Sequence, residues 1–115
     1  MTAEVQVHSH DVNGATVVEL KGEITSVTSA ALQERILPLV GRAGTTVIDL
    51  TQVPYISSAG LRTLLLVHRQ ALREHSATVL VGLSEEVRFV MSSTGFLDFF
   101  DIRDKASLEP GAAGQ

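Results

Sequence analysis

Residues 47–61 read VIDLTQVPYISSAGL, and this stretch contains the signals that decide the fold. Its first part is short, rich in β-branched residues and bounded by turn-forming residues, which predicts a buried central strand. Pro54 then interrupts regular structure. Serine is among the best helix N-caps, so Ser57 or Ser58 is predicted to cap a helix that runs to about residue 75. The stretch therefore predicts a strand, a turn and a helix in succession.

The flanking sequence extends this unit into an α/β domain. Alternating or short apolar segments predict strands on both sides, and Asn13-Gly14 predicts a tight hairpin turn between the first two. A strand, a helix and a further buried strand in succession require a right-handed crossover in a parallel sheet. The predicted strands are residues 4–9, 15–21, 46–50, 77–82 and, at the sheet edge, 99–102. We expect a mixed central sheet of four to five strands, with an antiparallel first hairpin and helices packed against it.

Three helices are predicted from capping residues and apolar spacing. Their expected N-caps are Thr25, Ser26 or Thr28 for the first helix, Ser57 or Ser58 for the second, and Ser84 for the third. The first helix is expected to run to about residue 40, and Gly95 is a plausible C-cap for the third. We expect one domain over residues 1–106 and a flexible tail over residues 107–115, which are rich in proline and glycine.

Composition narrows the compartment and the class of protein. The chain has 115 residues, no cysteine, 44% hydrophobic residues and a formal net charge of −4. A chain of this length builds a core without disulfides or a structural metal, and the lack of cysteine fits a reducing compartment. Mild acidity disfavours direct nucleic-acid binding, and no signal-peptide pattern or apolar run of roughly 20 residues is present. We expect a cytoplasmic protein that neither contacts nucleic acid directly nor inserts into a membrane.

The motifs of common α/β enzymes are missing from the sequence. It has no G-x-x-x-x-G-K-[ST] or G-x-G-x-x-G loop, and SSAG at residues 57–60 lacks the leading glycine of a nucleophile elbow. His8 and His10 share one face of the first strand, but the sequence shows no third ligand nearby. His68 falls amid the leucines of the second helix, where we expect a buried, hydrogen-bonded histidine. We therefore predict no enzyme, no catalytic residue, no cofactor and no metal site.

The serines at the start of the second helix have two interpretations. In the first, serine only caps the helix and lets it approach the sheet closely. In the second, the free N–H groups and the positive end of the helix stabilise a phosphate on that serine. A phosphoserine adds about −1.5 to −2 charges, which would change a partner surface without unfolding the helix.

The central stretch resembles the signature of the STAS domain, in the branch of bacterial anti-sigma-factor antagonists. The matching residues are Asp49-Leu50-Thr51, Val53, Tyr55-Ile56 and Ser58-Ala59-Gly60-Leu61. Residues 20–24 (LKGEI) resemble the end of the family's second strand, and Gly95-Phe96 resembles the exit from its last helix. The resemblance covers about residues 4–105 and implies a single STAS-like α/β domain, in agreement with the predicted order of strands and helices.

The resemblance implies a regulator of transcription that works by partner switching. The unphosphorylated antagonist binds an anti-sigma factor, which is itself a serine kinase of the histidine-kinase-like ATPase type. Phosphorylation of the antagonist separates the complex, and a PP2C-type phosphatase removes the phosphate so that the antagonist can bind again. ATP and Mg²⁺ are bound by the kinase. Carried over by motif position, the phosphoacceptor is Ser58. Many family members have Asp where this chain has Ser57 and Thr25, so this chain has less negative charge near the acceptor. Because position 57 is a serine here, Ser57 is the second choice of acceptor.

The partner surface is predicted on the second helix. A helical wheel places an apolar face toward the sheet, formed by Leu61, Leu64, Leu65, Val67, Ala71 and Leu72. Leu66 falls on the opposite, solvent-facing side among Arg62, Arg69 and Arg73, like an apolar anchor with a charged rim. The predicted partner-binding residues are Ser58, Gly60, Arg62, Leu66 and Arg69.

Two alternatives remain open at this stage. One is an unswitched STAS scaffold or a transporter-accessory subunit, in which Ser58 only caps a helix. The other is a small nucleotide-binding protein or enzyme, because a fold does not fix a function. The sequence leaves the oligomeric state open, a homodimer included.

Overall fold

The computed structural model describes residues 4–42 and 44–104 of the chain. Within them the chain forms five strands and three α-helices, with one-turn 3₁₀ helices at Leu37–Leu39 and Phe96–Phe99. The strands are β1 (Gln6–Val12), β2 (Ala15–Lys21), β3 (Thr45–Gln52), β4 (Ala77–Val81) and β5 (Asp101–Arg103), and the helices are α1 (Ser29–Ile36), α2 (Ser58–Arg73) and α3 (Glu85–Ser93). None of these helices is long and apolar enough to cross a membrane. The predicted tail at residues 107–115 lies outside the described residues.

The strands form one mixed sheet in the order β1-β2-β3-β4-β5. β1 is antiparallel to β2, and each later neighbouring pair is parallel, which confirms the predicted α/β architecture. Asn13 (φ 48°) and Gly14 (φ 81°) both have positive φ, as the two-residue type I′ turn requires. This turn fixes the β1–β2 register, in which His8 lies opposite Glu19.

The two faces of the sheet are covered differently, because successive side chains of a strand point to opposite sides. One face packs against all three helices and carries the main core. Its strand residues include Val18, Leu20, Ile48, Leu50 and Leu80, and its helix residues include Leu32, Ile36, Leu64, Val67, Val87 and Met91. The opposite face carries a smaller cluster of valines from β2, β3 and β4, namely Val17, Val47, Val79 and Val81.

Helix α1 is shorter than predicted. It ends at Ile36 rather than near residue 40, and the chain continues as the 3₁₀ turn Leu37–Leu39. Pro38 has no backbone N–H to donate, and its ring clashes with the preceding helical turn. The apolar spacing continues past the proline, so periodicity alone extended the helix too far.

The buried face of α2 is rotated relative to the prediction. Its buried residues are Gly60, Leu61, Thr63, Leu64, Val67 and Ala71. With Leu61 at 0° on a helical wheel, they span about 200° to 360°, whereas the predicted face spans about 240° to 400°, so the predicted face is displaced by about 40°. Leu72, which was predicted to pack on the sheet, is 60% exposed. Leu66, which was predicted to face solvent, is half-buried.

Two local contacts explain this rotation. Thr63 is buried because its hydroxyl donates to the carbonyl of Ala59 at 3.2 Å, one helical turn earlier, so its polar atom is satisfied. Helix α1 packs against α2, and Gln70 lines a cleft with Gln33 and Leu37 of the α1 region. Leu66 lies one turn before Gln70 on the same flank, which accounts for its partial burial.

Candidate functional site

The site begins at the end of β3, where the chain leaves the sheet. Asp49 is 5% exposed, and its Oδ1 accepts hydrogen bonds from the backbone N–H (2.9 Å) and the hydroxyl (2.5 Å) of Thr51. Such a side-chain turn fixes the direction of the backbone that follows it. Gly82 (φ 73°) lies so close that a Cβ there would overlap the Thr51 hydroxyl. The Asp-Leu-Thr part of the motif therefore has a structural role, which is to shape the end of β3.

The loop after β2 is tied to the turn after β3 by main-chain hydrogen bonds. The N–H of Ile24 donates to the carbonyl of Tyr55 at 3.0 Å, and the N–H of Ser57 donates to the carbonyl of Ile24 at 2.8 Å. Ile24 and Ile56 form an isolated parallel bridge. Strand-like pairing thus continues up to the residue that precedes α2, and it fixes where the helix begins.

Gly60 lets α2 approach this bridge closely. A Cβ at Gly60 would lie 2.6 Å from Ile56 Cγ1, 2.7 Å from Ile24 Cγ2 and 3.0 Å from the Ile24 carbonyl oxygen. These separations leave no room for a side chain. Gly60 is buried and acts by packing, and its predicted part in partner binding stays a prediction.

The two serines have different structural roles. Ser57 is the N-cap of α2, with an extended backbone (φ −92°, ψ 177°), and its side-chain oxygen accepts from the N–H of Gly60 at 3.4 Å. Ser58 is the first helical residue and is exposed. Its hydroxyl makes no hydrogen bond within the described part of the chain. Of the two serines, Ser58 is therefore the one whose hydroxyl is free and accessible.

The surface around Ser58 combines apolar and basic side chains. Tyr55, in the turn before the helix, is 38% exposed, and Val27, in the loop after β2, is 74% exposed. Arg62 and Arg69 are both exposed, as predicted, and neither forms an ion pair with a described residue. Arg62 lies four residues after Ser58 and therefore on the same side of the helix. Exposed apolar and positively charged side chains thus occur on α2, on the turn before it and on the loop after β2.

Thr25, one of the two positions where an aspartate is absent, belongs to the same site. It follows Ile24 directly, and the carbonyl of Ile24 accepts a hydrogen bond from Ser57. Ser57 is the second position at which the family often has an aspartate. The Thr25 hydroxyl accepts from the N–H of Val27 at 3.2 Å, and the Thr25 N–H donates to the Thr28 hydroxyl at 2.9 Å. Both positions therefore carry hydroxyls that accept backbone N–H bonds, the task that an aspartate side chain performs in such turns.

The three histidines named in the sequence analysis lie in different environments. His68 is half-buried rather than fully buried, and its Nδ1 has no hydrogen-bond partner among the described residues. Its ring instead meets Phe100 edge-on, with ring centres 5.6 Å apart. His8 and His10 share a face as predicted, and the hairpin register adds Glu19 beside them. The sequence reasoning missed Glu19, although the two-residue turn at Asn13-Gly14 already determines its pairing.

Comparisons with known proteins agree with this architecture. The family model of the STAS domain matches residues 4–108. The chain is 34% identical over 103 residues to BtrV of Bordetella bronchiseptica, named as a candidate anti-sigma factor antagonist, covering 89% of this chain and 87% of that protein. It is 26% identical over 106 residues to the anti-sigma-B factor antagonist of Bacillus subtilis, covering 92% and 94%. A crystal structure of an anti-sigma factor antagonist from Mycobacterium paratuberculosis superposes with a TM-score of 0.76 at 28% identity, covering 85% of this chain and 84% of that one.

The fold and the site thus define an α/β module in which a capped helix start lies beside an exposed serine. The match to the family model spans the described sheet and all three helices. The chain belongs to the STAS domain family, in its branch of anti-sigma factor antagonists.

Proposed function

We propose that this chain is an anti-sigma factor antagonist whose binding is switched by phosphorylation of Ser58. The observation that carries the proposal is the exposed Ser58 hydroxyl, which makes no hydrogen bond to a described residue. It stands at the first position of α2, beside a serine that already caps the helix. Family membership supports the same assignment, since relatives that match about nine-tenths of this chain are named for antagonism of anti-sigma factors.

The electrostatic environment of Ser58 would stabilise a phosphate on its hydroxyl. The first-turn N–H groups and the positive end of the helix dipole stabilise an anion there. Arg62 lies one turn further on and has no ion-pair partner in the described chain, so it is available to the phosphate. The modification therefore changes the surface charge by about −1.5 to −2 without breaking a hydrogen bond of the helix start.

The proposed partner surface comprises Ser58, Arg62 and Arg69, with half-buried Leu66 at its margin. In the unphosphorylated protein the arginines attract an acidic partner, an anti-sigma factor and serine kinase of the histidine-kinase-like ATPase type. Phosphate at Ser58 then pairs with Arg62 and repels that partner. A tenfold loss of affinity needs only about 1.4 kcal/mol, which one misplaced charge at an interface supplies.

The remaining parts of the proposed circuit act on this chain from outside. The kinase provides ATP and Mg²⁺, and a PP2C-type phosphatase removes the phosphate from Ser58. All three proteins then work in the cytoplasm, where the sigma factor is released or held. In this proposal the chain regulates its partner by binding to it and catalyses no reaction.

Mass spectrometry of the protein from its native cells, with the modified residue mapped, tests the phosphoacceptor. We expect phosphate on Ser58; phosphate found only on Ser57 would overturn the assignment. Partner capture with Ser58→Ala and Ser58→Asp baits tests the switch. A histidine-kinase-like ATPase is expected on the first bait and lost from the second. Retention by both baits would instead favour an unswitched scaffold, and a transport protein in its place would favour an accessory subunit.

A further inference from the structure

A second cluster of polar side chains lies on the β1–β2 hairpin. His8 and His10 are alternate residues of β1 and share the face opposite Val7, which packs on the main core. Glu19 of β2 is directly opposite His8 in the register, and its Oε1 lies 3.7 Å from His10 Nδ1. The hairpin thus gathers two imidazoles and one carboxylate on the sheet face away from the helices.

We propose that His8, His10 and Glu19 bind a divalent transition-metal ion of the zinc class. One ligand atom of each residue lies within 4.8 Å of the others. Tetrahedral Zn²⁺ with bonds of 2.0–2.1 Å needs donors about 3.3 Å apart. His8 and His10 are exposed and Glu19 is half-buried, so small side-chain rotations close this difference without disturbing the core.

The strand geometry explains why these three positions converge. Residues two apart on one strand point the same way, and a directly opposed cross-strand pair has Cβ atoms about 4.5–5.5 Å apart. Two such relations together place His8, His10 and Glu19 at the corners of a triangle. The tight Asn13-Gly14 turn holds this register, so the site is set by backbone pairing and not by a mobile loop.

The ligand set selects the type of metal. Imidazole suits Zn²⁺, Cu²⁺ and Ni²⁺, whereas Mg²⁺ and Ca²⁺ prefer oxygen ligands throughout. Three protein ligands leave a fourth position of a tetrahedral ion open to water or to another ligand. His8 and Glu19 also line a cleft of about 210 Å³ that reaches Gln52 at the end of β3, which gives that position access to solvent.

Metal binding would also stabilise the pairing of β1 with β2 at the edge of the sheet. Among the described strands, β1 is paired only with β2, and an ion held by both strands would link them through side chains as well as through the backbone. An ion that binds the folded chain more tightly than the unfolded chain raises the melting temperature. This inference does not depend on the proposed function at Ser58.

Titration of the tag-free protein with Zn²⁺ by calorimetry tests the site. We expect one ion per chain, with affinity at least tenfold weaker in Glu19→Gln and in His10→Gln. His75→Asn is the matched control, because it removes an exposed histidine whose positive φ (57°) asparagine tolerates. The control is expected to bind like the wild type and to show the same rise in melting temperature with Zn²⁺.

Binding that is unchanged in Glu19→Gln and His10→Gln, or that is lost equally in His75→Asn, would overturn the proposal. So would the absence of saturation near one ion per chain. Circular dichroism checks that each variant is folded. Visible absorption of the Co²⁺-loaded protein provides a second readout, since its bands should lose intensity in folded His10→Gln and not in the control.

Discussion

Gly60→Ala tests the close approach of α2 to the loop after β2. The added Cβ would lie 2.6 Å from Ile56 Cγ1 and 2.7 Å from Ile24 Cγ2. Both neighbours are β-branched and stiff at χ1, so neither side chain rotates away easily. The backbone carbonyl of Ile24, 3.0 Å from the same position, accepts the hydrogen bond from Ser57 and is held in place. The steric overlap can therefore be relieved only if the start of α2 shifts.

The expected loss follows from two opposing effects. Overpacking of a well-packed site costs about 1–3 kcal/mol. Alanine gains up to about 1 kcal/mol over glycine in a helix interior, and less in the first turn. The net destabilisation is about 1–2 kcal/mol, which lowers the melting temperature of a domain of this size by about 4–8 °C. Urea unfolding should show a lower midpoint with an unchanged slope.

Gly44→Ala is the control for this measurement. A Cβ at Gly44 meets nothing within 4 Å, and its φ is not positive, so its effect should stay within about 0.5 kcal/mol. Equal unfolding midpoints for Gly60→Ala and Gly44→Ala would refute the reasoning. In that case the loop and the helix start would be free to separate, and Gly60 would not be what holds Ser58 in place.

Three further predictions concern the surface of α2. Ser57→Ala should lower the free energy of unfolding in urea by about 0.5–1 kcal/mol, because the helix loses its cap. Ser58→Ala removes no hydrogen bond between described residues and should unfold like the wild type. Equal losses in the two variants would contradict the assignment of Ser57 as the cap. Phosphorylation of Ser58 should leave the far-UV circular dichroism spectrum unchanged and the melting temperature within a few degrees, because negative charge at a helix N-terminus is stabilising by about 0.3–1 kcal/mol; extensive unfolding would point to a structural switch instead. Arg62→Ala and Arg69→Ala should slow association with the anti-sigma factor and reduce its salt dependence, with little change in dissociation, as stopped-flow binding at two ionic strengths would show; an unchanged association rate would remove these arginines from the partner surface.

Sequence patterns were sufficient for the sheet because strand signals are local. The Asn13-Gly14 turn, the apolar run of β3 and the capping serine before α3 each carry their own physical signal, and each is confirmed. The edge strand β5 is also present, as Asp101–Arg103. Boundaries were less accurate, since β1 extends to Val12 instead of ending near residue 9, and β5 begins at Asp101 instead of residue 99. At Pro38 two signals competed, because helical periodicity continues past a residue that cannot remain in the helix.

Side-chain environments were harder to predict, since they depend on which elements pack together. The buried face of α2 includes Thr63, a polar residue that a hydrophobic pattern omits, and excludes Leu72, an apolar residue that such a pattern includes. His68 was expected to be buried and hydrogen-bonded, but it is half-buried and its ring meets the ring of Phe100, which is distant in sequence. Glu19 is different, since its place beside His8 follows from the turn and was available from the sequence alone.

The pair of adjacent serines explains how one helix start can be both a fixed structural element and a regulated one. A single serine could not do both, because a phosphate on the capping hydroxyl would compete for the N–H of Gly60, and the helix start would change with each modification. Here Ser57 keeps the cap while Ser58, one residue further on, offers an exposed hydroxyl with no bond to lose within the described chain. The main-chain bonds from Ile24 hold both positions in the same place. On the proposed function, modification of Ser58 thus alters charge next to Arg62 while the backbone that presents it stays constant. The absence of an aspartate at position 57 is then compatible with regulation, because the serine hydroxyl there performs the capping task.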